Sequence, residues 1–204
     1  FQQADMAMYR AKKEGGNALS FFDPSMKDAA IACSNIEQEL RRVIDLNQLE
    51  LFFQPQFDYG GKVVSAEALL RWNHPTHGVI GPDEFISVAE ESGQIVPIGF
   101  WVVQTACDQI KSWKSNPVLS QLQLSINVSA RQFQEQHFVQ KIIDALRNTG
   151  ISPSLLKLEL TESTMHNLDE VGSKMQQLSK LGVRFSLDDF GTGYSSLASL
   201  IKLP

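Results

Sequence analysis

The chain has 204 residues, 43% of them hydrophobic, which is enough for a sizeable core and about one to one-and-a-half domains. Its formal net charge of −5 at pH 7 excludes a broadly basic surface of the kind that binds nucleic-acid polymers. The chain has two cysteines and no apolar run of about 20 residues, which excludes a disulfide framework and a membrane-spanning segment within it. We expect a cytoplasmic domain, with any membrane anchor elsewhere in a longer parent protein.

The first part of the chain predicts a short helix and a short strand. The helix covers 2–13 and ends at a pair of glycines, and the apolar strand covers 19–22. An Asp-Pro step at 23–24 predicts a break in the chain and a domain boundary. A capping box from Ser34 to Glu37 then predicts the start of the next helix.

From residue 49 onward, strands alternate with helices, which predicts an α/β fold with a mainly parallel sheet. The predicted strands cover 49–56, 63–72, 121–128, 155–161 and 183–188. The predicted helices cover about 82–91, 95–115, 130–148, 167–181 and 194–201. Ser129 and Gln132 form a capping box for the helix over 130–148.

Each of the later strands has one apolar and one polar side. In the strand over 121–128, for example, Leu124 and Ile126 alternate with Ser125 and Asn127. A sheet packed between helices should be apolar on both faces, so the pattern favours a (β/α)8 barrel with a polar interior. An open sheet with ligands at its strand ends is the alternative.

Oxygen-bearing side chains lie near the carboxyl ends of these strands, where barrels place their active sites. They are Glu67, Asn127, Glu159, Asp188 and Asp189. Any one of them alone is better explained by a cap or a loop hydrogen bond than by metal binding, but four carboxylates together require cations. A set without His or Cys suits Mg²⁺ or Mn²⁺, and adjacent aspartates can bridge the two ions of a phosphodiester-hydrolysing site. Arg71, on the same face as Glu67, is a candidate phosphate ligand.

Several motifs, in the same order along the chain, resemble those of EAL domains over about residues 36–204. The matching segments are EALLR at 67–71, WNHP at 72–75, GVIGPDEFI at 78–86, AEESG at 89–93, SINVS at 125–129, LELTES at 158–163 and DDFGTGYSSL at 188–197. The resemblance implies a (β/α)8-type barrel whose first strand, 49–56, runs antiparallel to the others. It also implies hydrolysis of cyclic di-GMP to linear pGpG with two divalent metal ions.

The resemblance further implies roles for individual residues. Glu67, Asn127, Glu159, Asp188 and Asp189 fall on metal-ligand positions, with Glu67 and the two aspartates also catalytic. Leu69 and Arg71 fall on phosphate contacts and Gln54 on a substrate-lining position, although polar filling of the core explains Gln54 equally well. Glu162 falls on the glutamate that anchors the loop after Asp189, a loop with a part in dimer contacts.

The N-terminal segment ADMAMYRAKK at 4–13, with Phe21 and Phe22, resembles the end of a GGDEF, or diguanylate-cyclase-like, domain. We therefore expect a GGDEF remnant over 1–23, a linker over 24–35 and the EAL domain over 36–204, with further GGDEF and sensor regions upstream in the parent protein.

The family pattern continues beyond Pro204 with a lysine and a metal-binding glutamate. A chain with about five strands of the barrel is therefore expected to have little turnover by itself. Two alternatives remain open for the parent protein: a non-catalytic cyclic di-GMP receptor, and an unrelated Mg²⁺ barrel enzyme acting on a carboxylate substrate.

Overall fold

A computed structural model describes residues 3, 4, 7, 8, 11, 17, 19–161, 164 and 168–188. The chain forms two compact units, 1–42 and 43–204. The predicted helix over 194–201 and most of the predicted helix over 2–13 lie outside the described residues. None of the helices within the described ranges combines the length and the apolar character needed to cross a membrane.

The first unit contains helix α1, Pro24–Leu40. The Asp23 side chain caps it by accepting a hydrogen bond from the Ser25 amide at 2.8 Å, and Pro24 occupies the first turn. The capping box predicted from Ser34 to Glu37 is therefore wrong. Asp followed by Pro is a strong helix start, because the carboxylate satisfies a free amide and proline has none to lose. The segment expected to be a linker, 24–35, is helical, and the predicted domain limits stay a prediction.

The second unit follows the predicted alternation of strands and helices. Its strands are β1 Leu49–Phe57, β2 Val63–His74, β3 Gly78–Ile80, β4 Gln123–Val128, β5 Leu156–Thr161 and β6 Arg184–Asp188. Its helices are α2 Pro82–Ser92, α3 Ile95–Trp113, α4 Ala130–Gln134, α5 Phe138–Thr149 and α6 Leu168–Leu181.

The strands form one sheet in the order β1-β2-β4-β5-β6, with β3 paired to β2 outside this path. β1 and β2 are antiparallel, whereas β2, β4, β5 and β6 pair in parallel. The predicted antiparallel first strand is therefore confirmed. In the sheet, each parallel strand lies beside the parallel strand that precedes it along the chain. The sheet therefore extends in a single direction, as the strands of a barrel do.

One face of the sheet is buried beneath the helices. Leu124 and Ile126 on β4, and Leu156, Leu158 and Leu160 on β5, are completely buried. They belong to one hydrophobic core together with residues of α3, α5 and α6. The predicted apolar side of these strands is thus the side that packs on the helices, which leaves the polar side for the opposite face.

Further details differ from the predicted elements. The strand predicted over 19–22 is wrong, because these residues have no regular secondary structure and Leu19 and Phe21 are largely exposed instead of packed in a sheet. The short strand β3 was missed, since three residues are too few to show an alternating pattern. The single helix predicted over 130–148 is wrong, because the chain breaks between α4 and α5, where Glu135 has an extended backbone (ψ 136°). The Lys174 ammonium stabilises this break by donating to the carbonyls of residues 133, 134 and 135 at 2.9–3.1 Å.

Candidate functional site

Strand register brings polar side chains to the same level of the sheet. Glu67 on β2 pairs with Gln54 on β1 and with Ser125 on β4. Ser125 in turn pairs with Lys157 on β5. Paired residues in neighbouring strands point to the same face, so these four side chains share the face opposite the helices.

A second level lies closer to the carboxyl ends of the parallel strands. Asn127 on β4 pairs with Glu159 on β5, and Glu159 pairs with Ser186 on β6. Asn127 and Glu159 lie two positions after Ser125 and Lys157, and Ser186 lies two positions after Arg184, the register partner of Lys157. Side chains two positions apart point to the same side of a strand, so both levels are on one face. We call this surface the polar face; it comprises Gln54, Glu67, Ser125, Asn127, Lys157, Glu159 and Ser186.

Glu67 and Asn127 are in direct contact. The Asn127 side-chain amide donates to Oε1 of Glu67 at 2.9 Å, although the two residues are 60 positions apart in sequence. Glu67 is half-buried and Asn127 is exposed. Asn127 therefore lies between the two glutamates, Glu67 on one neighbouring strand and Glu159 on the other, and it separates their charges.

Glu159 has the most enclosed carboxylate of the polar face, with 8% of the residue exposed. Two neighbours stabilise its charge: the Lys157 ammonium lies 2.9 Å from Oε1, and the Ser186 hydroxyl donates to Oε1 at 3.0 Å. Sequence reasoning missed both partners. The signal for Lys157 was available, because residues 157 and 159 share a side of their strand, but the signal for Ser186 required the register between β5 and β6.

Of the two remaining carboxylates predicted as metal ligands, the structure describes Asp188, at the end of β6. Asp188 is the last residue of that strand, is exposed, and pairs in register with Thr161. It shares a side of its strand with Ser186, and hence with Glu159. Asp189 and the predicted loop anchor Glu162 lie outside the described residues.

The residues predicted to contact substrate also lie on β1 and β2. Leu69 and Arg71 are half-buried on β2, and Leu69 pairs with Phe52. The Arg71 guanidinium lies 5.6 Å from the centre of the Phe52 ring and donates to the Leu70 carbonyl at 2.8 Å. Gln54 is exposed opposite Glu67. Phe52, 45% exposed beside Arg71, is a further candidate that sequence reasoning missed.

The chemistry of the donors fits a hard divalent cation. Glu67 and Glu159 offer carboxylate oxygens and Asn127 offers an amide oxygen, the ligand types that Mg²⁺ and Mn²⁺ prefer. Within the described ranges, no group of three His, Cys, Asp or Glu side chains lies close enough together to hold a metal ion. Among the described residues the donor set thus comprises these two glutamates and an amide, with Asp188 at the adjacent strand end.

Comparison with known proteins identifies the family. Residues 37–204 match the family described as EAL domain. The chain is 42% identical over 203 residues to the bifunctional diguanylate cyclase/cyclic di-GMP phosphodiesterase MucR of Pseudomonas aeruginosa, covering 98% of this chain and 30% of MucR. It is 39% identical over 204 residues to the cyclic di-GMP phosphodiesterase PdeR of Escherichia coli, covering 100% of this chain and 31% of PdeR. The chain therefore spans less than a third of the length of these relatives.

Solved structures show the same fold. The PaMucR phosphodiesterase in complex with c-di-GMP superposes with a TM-score of 0.79 at 42% identity, covering 83% of this chain and 69% of that one. The Xanthomonas citri FimX EAL domain in complex with c-diGMP has a TM-score of 0.73 at 20% identity, covering 86% of this chain and 67% of that one, and supports the fold alone. The predicted α/β architecture, an EAL-type barrel with a mostly parallel sheet, is confirmed. On the family match over 37–204, this chain belongs to the EAL domain family.

Proposed function

We propose that the protein containing this chain hydrolyses cyclic di-GMP to linear pGpG with the help of Mg²⁺ or Mn²⁺. One observation carries the proposal: in a chain of the EAL family, Glu67, Asn127 and Glu159 occupy one face of three strands that are adjacent in the sheet, with Glu67 and Asn127 in contact. The names of MucR and PdeR, both cyclic di-GMP phosphodiesterases, support this substrate and reaction.

In this proposal, Glu67, Asn127, Glu159, Asp188 and Asp189 hold two divalent ions. Bound ions would lower the pKa of a water molecule and neutralise charge on the phosphoryl oxygens. The protein's own contribution is to fix the oxygen donors. Glu67 and Asn127 already support each other across two strands, and the Glu159 carboxylate is held at Oε1 by two neighbours.

Arg71, Leu69 and Gln54 would contact the dinucleotide. A guanidinium has five N–H donors, so the hydrogen bond from Arg71 to the Leu70 carbonyl leaves others for a phosphate oxygen. That bond, together with the Phe52 ring, restricts the orientation of the guanidinium before any ligand binds. Gln54, opposite Glu67, lies where a polar substrate group approaching the carboxylate would meet it.

We also propose a dimer contact, further domains and a location for the protein that contains this chain. By its place in the family motif, Glu162 would anchor the loop that follows Asp189, and that loop would contribute to a homodimer. An upstream GGDEF domain, sensor regions and a cytoplasmic position for this domain are inferred from the sequence resemblance.

Turnover of cyclic di-GMP by the full-length protein tests the proposal. With Mg²⁺ or Mn²⁺ present, chromatography should show formation of pGpG, and Glu67→Ala should reduce the rate by at least about a hundredfold because a metal ligand is lost. Asp144→Asn, which alters a half-buried carboxylate on α5 that accepts a hydrogen bond from Gln140, should leave the rate unchanged.

The same experiment separates an enzyme from a receptor. Calorimetric binding of cyclic di-GMP without any pGpG would contradict the catalytic proposal and favour a regulatory binding module. Turnover that is unaffected by both chelation of divalent ions and Glu67→Ala would instead contradict the assignment of the site.

A further inference from the structure

A cationic side chain lies within the polar face, where the proposed function requires divalent cations to bind. The Lys157 ammonium is 2.9 Å from Oε1 of Glu159, and both side chains are largely enclosed, with 19% and 9% of their surfaces exposed. Lys157 comes two residues before Glu159 on β5, so the two side chains emerge from the same face of the strand.

The surroundings make this ion pair the main compensation for the charge of Glu159. Ser186 adds one neutral hydrogen bond to the same oxygen, Oε1. The register neighbour of Lys157 on β4 is Ser125, whose fully buried hydroxyl has no hydrogen-bond partner among the described residues. An enclosed carboxylate that loses its charged partner is strongly destabilising, because its desolvation is then uncompensated.

We propose that Lys157 is a positioning residue that serves as the internal counter-ion of Glu159 and thereby limits the affinity of the site for divalent cations. This inference rests on the proposed function, because it takes Glu159 as a metal ligand. The ammonium holds Oε1 while no metal is bound, and it repels a cation that approaches the same carboxylate. The lysine therefore stabilises the metal-free protein and weakens metal binding.

Replacement of the lysine tests both effects in the full-length protein, with Mn²⁺ as the probe. Lys157→Met should lower the calorimetric dissociation constant for Mn²⁺ by about tenfold or more and lower the melting temperature in chelator. The rise in melting temperature on adding Mn²⁺ should therefore be larger than in the wild type. Lys157→Arg, which keeps the charge, should stay close to the wild type in both measurements.

Two further variants make the result specific. Lys157→Gln keeps a hydrogen-bond donor but removes the charge, so it should also tighten Mn²⁺ binding, and it carries the same test should Lys157→Met fail to fold. Lys111→Met removes one positive charge from an exposed position of α3 and should leave the Mn²⁺ dissociation constant unchanged.

The outcomes separate the role of Lys157 from the existence of the metal site. Wild-type protein that binds Mn²⁺ while Lys157→Met or Lys157→Gln binds it equally or more weakly overturns the role of Lys157 and leaves the proposed function standing. Wild-type protein that does not bind Mn²⁺ overturns the metal site, and the role of Lys157 with it.

Discussion

The two glutamates of the polar face are stabilised in different ways. Glu67 is half-buried and receives a neutral amide donor from Asn127, whereas the enclosed Glu159 receives an ammonium and a hydroxyl. An amide at position 127 keeps a third negative charge from lying between the two carboxylates. The face can therefore fold without a cation and still present three oxygen donors to one.

The two cysteines allow a test at the residue scale. Cys33 is exposed on α1, whereas Cys107 on α3 is completely buried. Burial, and secondarily the charge of Asp108, raises the pKa of the Cys107 thiol from 9.0 to about 12. We therefore expect iodoacetamide at pH 8 to alkylate Cys33 in the native protein and to leave Cys107 unmodified until denaturant is added, as measured by peptide mass spectrometry.

The raised pKa of Cys107 also makes the free energy of unfolding depend on pH in the alkaline range. Between pH 9 and 12 the unfolded chain loses the Cys107 proton while the folded chain keeps it, so the free energy of unfolding falls as pH rises. Cys107→Ala should remove this part of the dependence, which amounts to about 1.4 kcal/mol per pH unit at most. Alkylation of Cys107 as rapid as that of Cys33 would contradict the buried position.

At the scale of elements, the break between α4 and α5 depends on a residue from α6. Lys174 is 9% exposed, and its ammonium donates to three successive carbonyls at 2.9–3.1 Å, which the end of a five-residue helix would otherwise leave unpaired. No local signal in residues 130–148 predicts this contact, because it comes from a residue about 40 positions later in the chain.

Lys174→Met should therefore loosen the connection between α4 and α5. Buried hydrogen bonds from a charged donor contribute about 1.5–3 kcal/mol each, so amides of residues 134–138 should exchange with deuterium at least tenfold faster. Glu170→Ala is the matched control: the Lys174–Glu170 ion pair is half-exposed on the glutamate side, and its loss should cost no more than about 1 kcal/mol. Equal exchange in both variants would contradict the assigned role of Lys174.

At the scale of the whole molecule, much of the fold follows from local patterns. The described parallel strands begin within two residues of their predicted positions, since alternation of apolar and polar residues is a direct consequence of burial on one face. The predicted start of α1 is wrong because the sequence contains two competing capping signals, and the Asp23-Pro24 step initiates the helix instead of breaking the chain. Tertiary contacts decided the split of the helix over 130–148 and the pairing of β3.

Less of the candidate site than of the fold was predictable from the sequence. Alternation of polar and apolar residues placed Glu67, Asn127 and Glu159 on one face, and the register agrees with that placement. The expected strand-end position is wrong for Glu67, which lies in the middle of the long strand β2. The ion pair of Glu159 with Lys157 could be read from the alternation of β5, but the contacts of Glu67 with Asn127 and of Glu159 with Ser186 were not predictable, because they join residues 60 and 27 positions apart. Their roles as metal ligands stay a prediction.

Anomalous diffraction from crystals of the full-length protein soaked in Mn²⁺ is the most direct test of the metal site. We expect anomalous density for two ions at the polar face, with oxygen atoms of Glu67, Asn127, Glu159 and Asp188 among the ligands at about 2.0–2.3 Å, because Mn²⁺ prefers oxygen donors. The density should disappear in Glu67→Ala crystals soaked in the same way. Strong Mn²⁺ peaks elsewhere on the protein, with none at the polar face, would contradict the account.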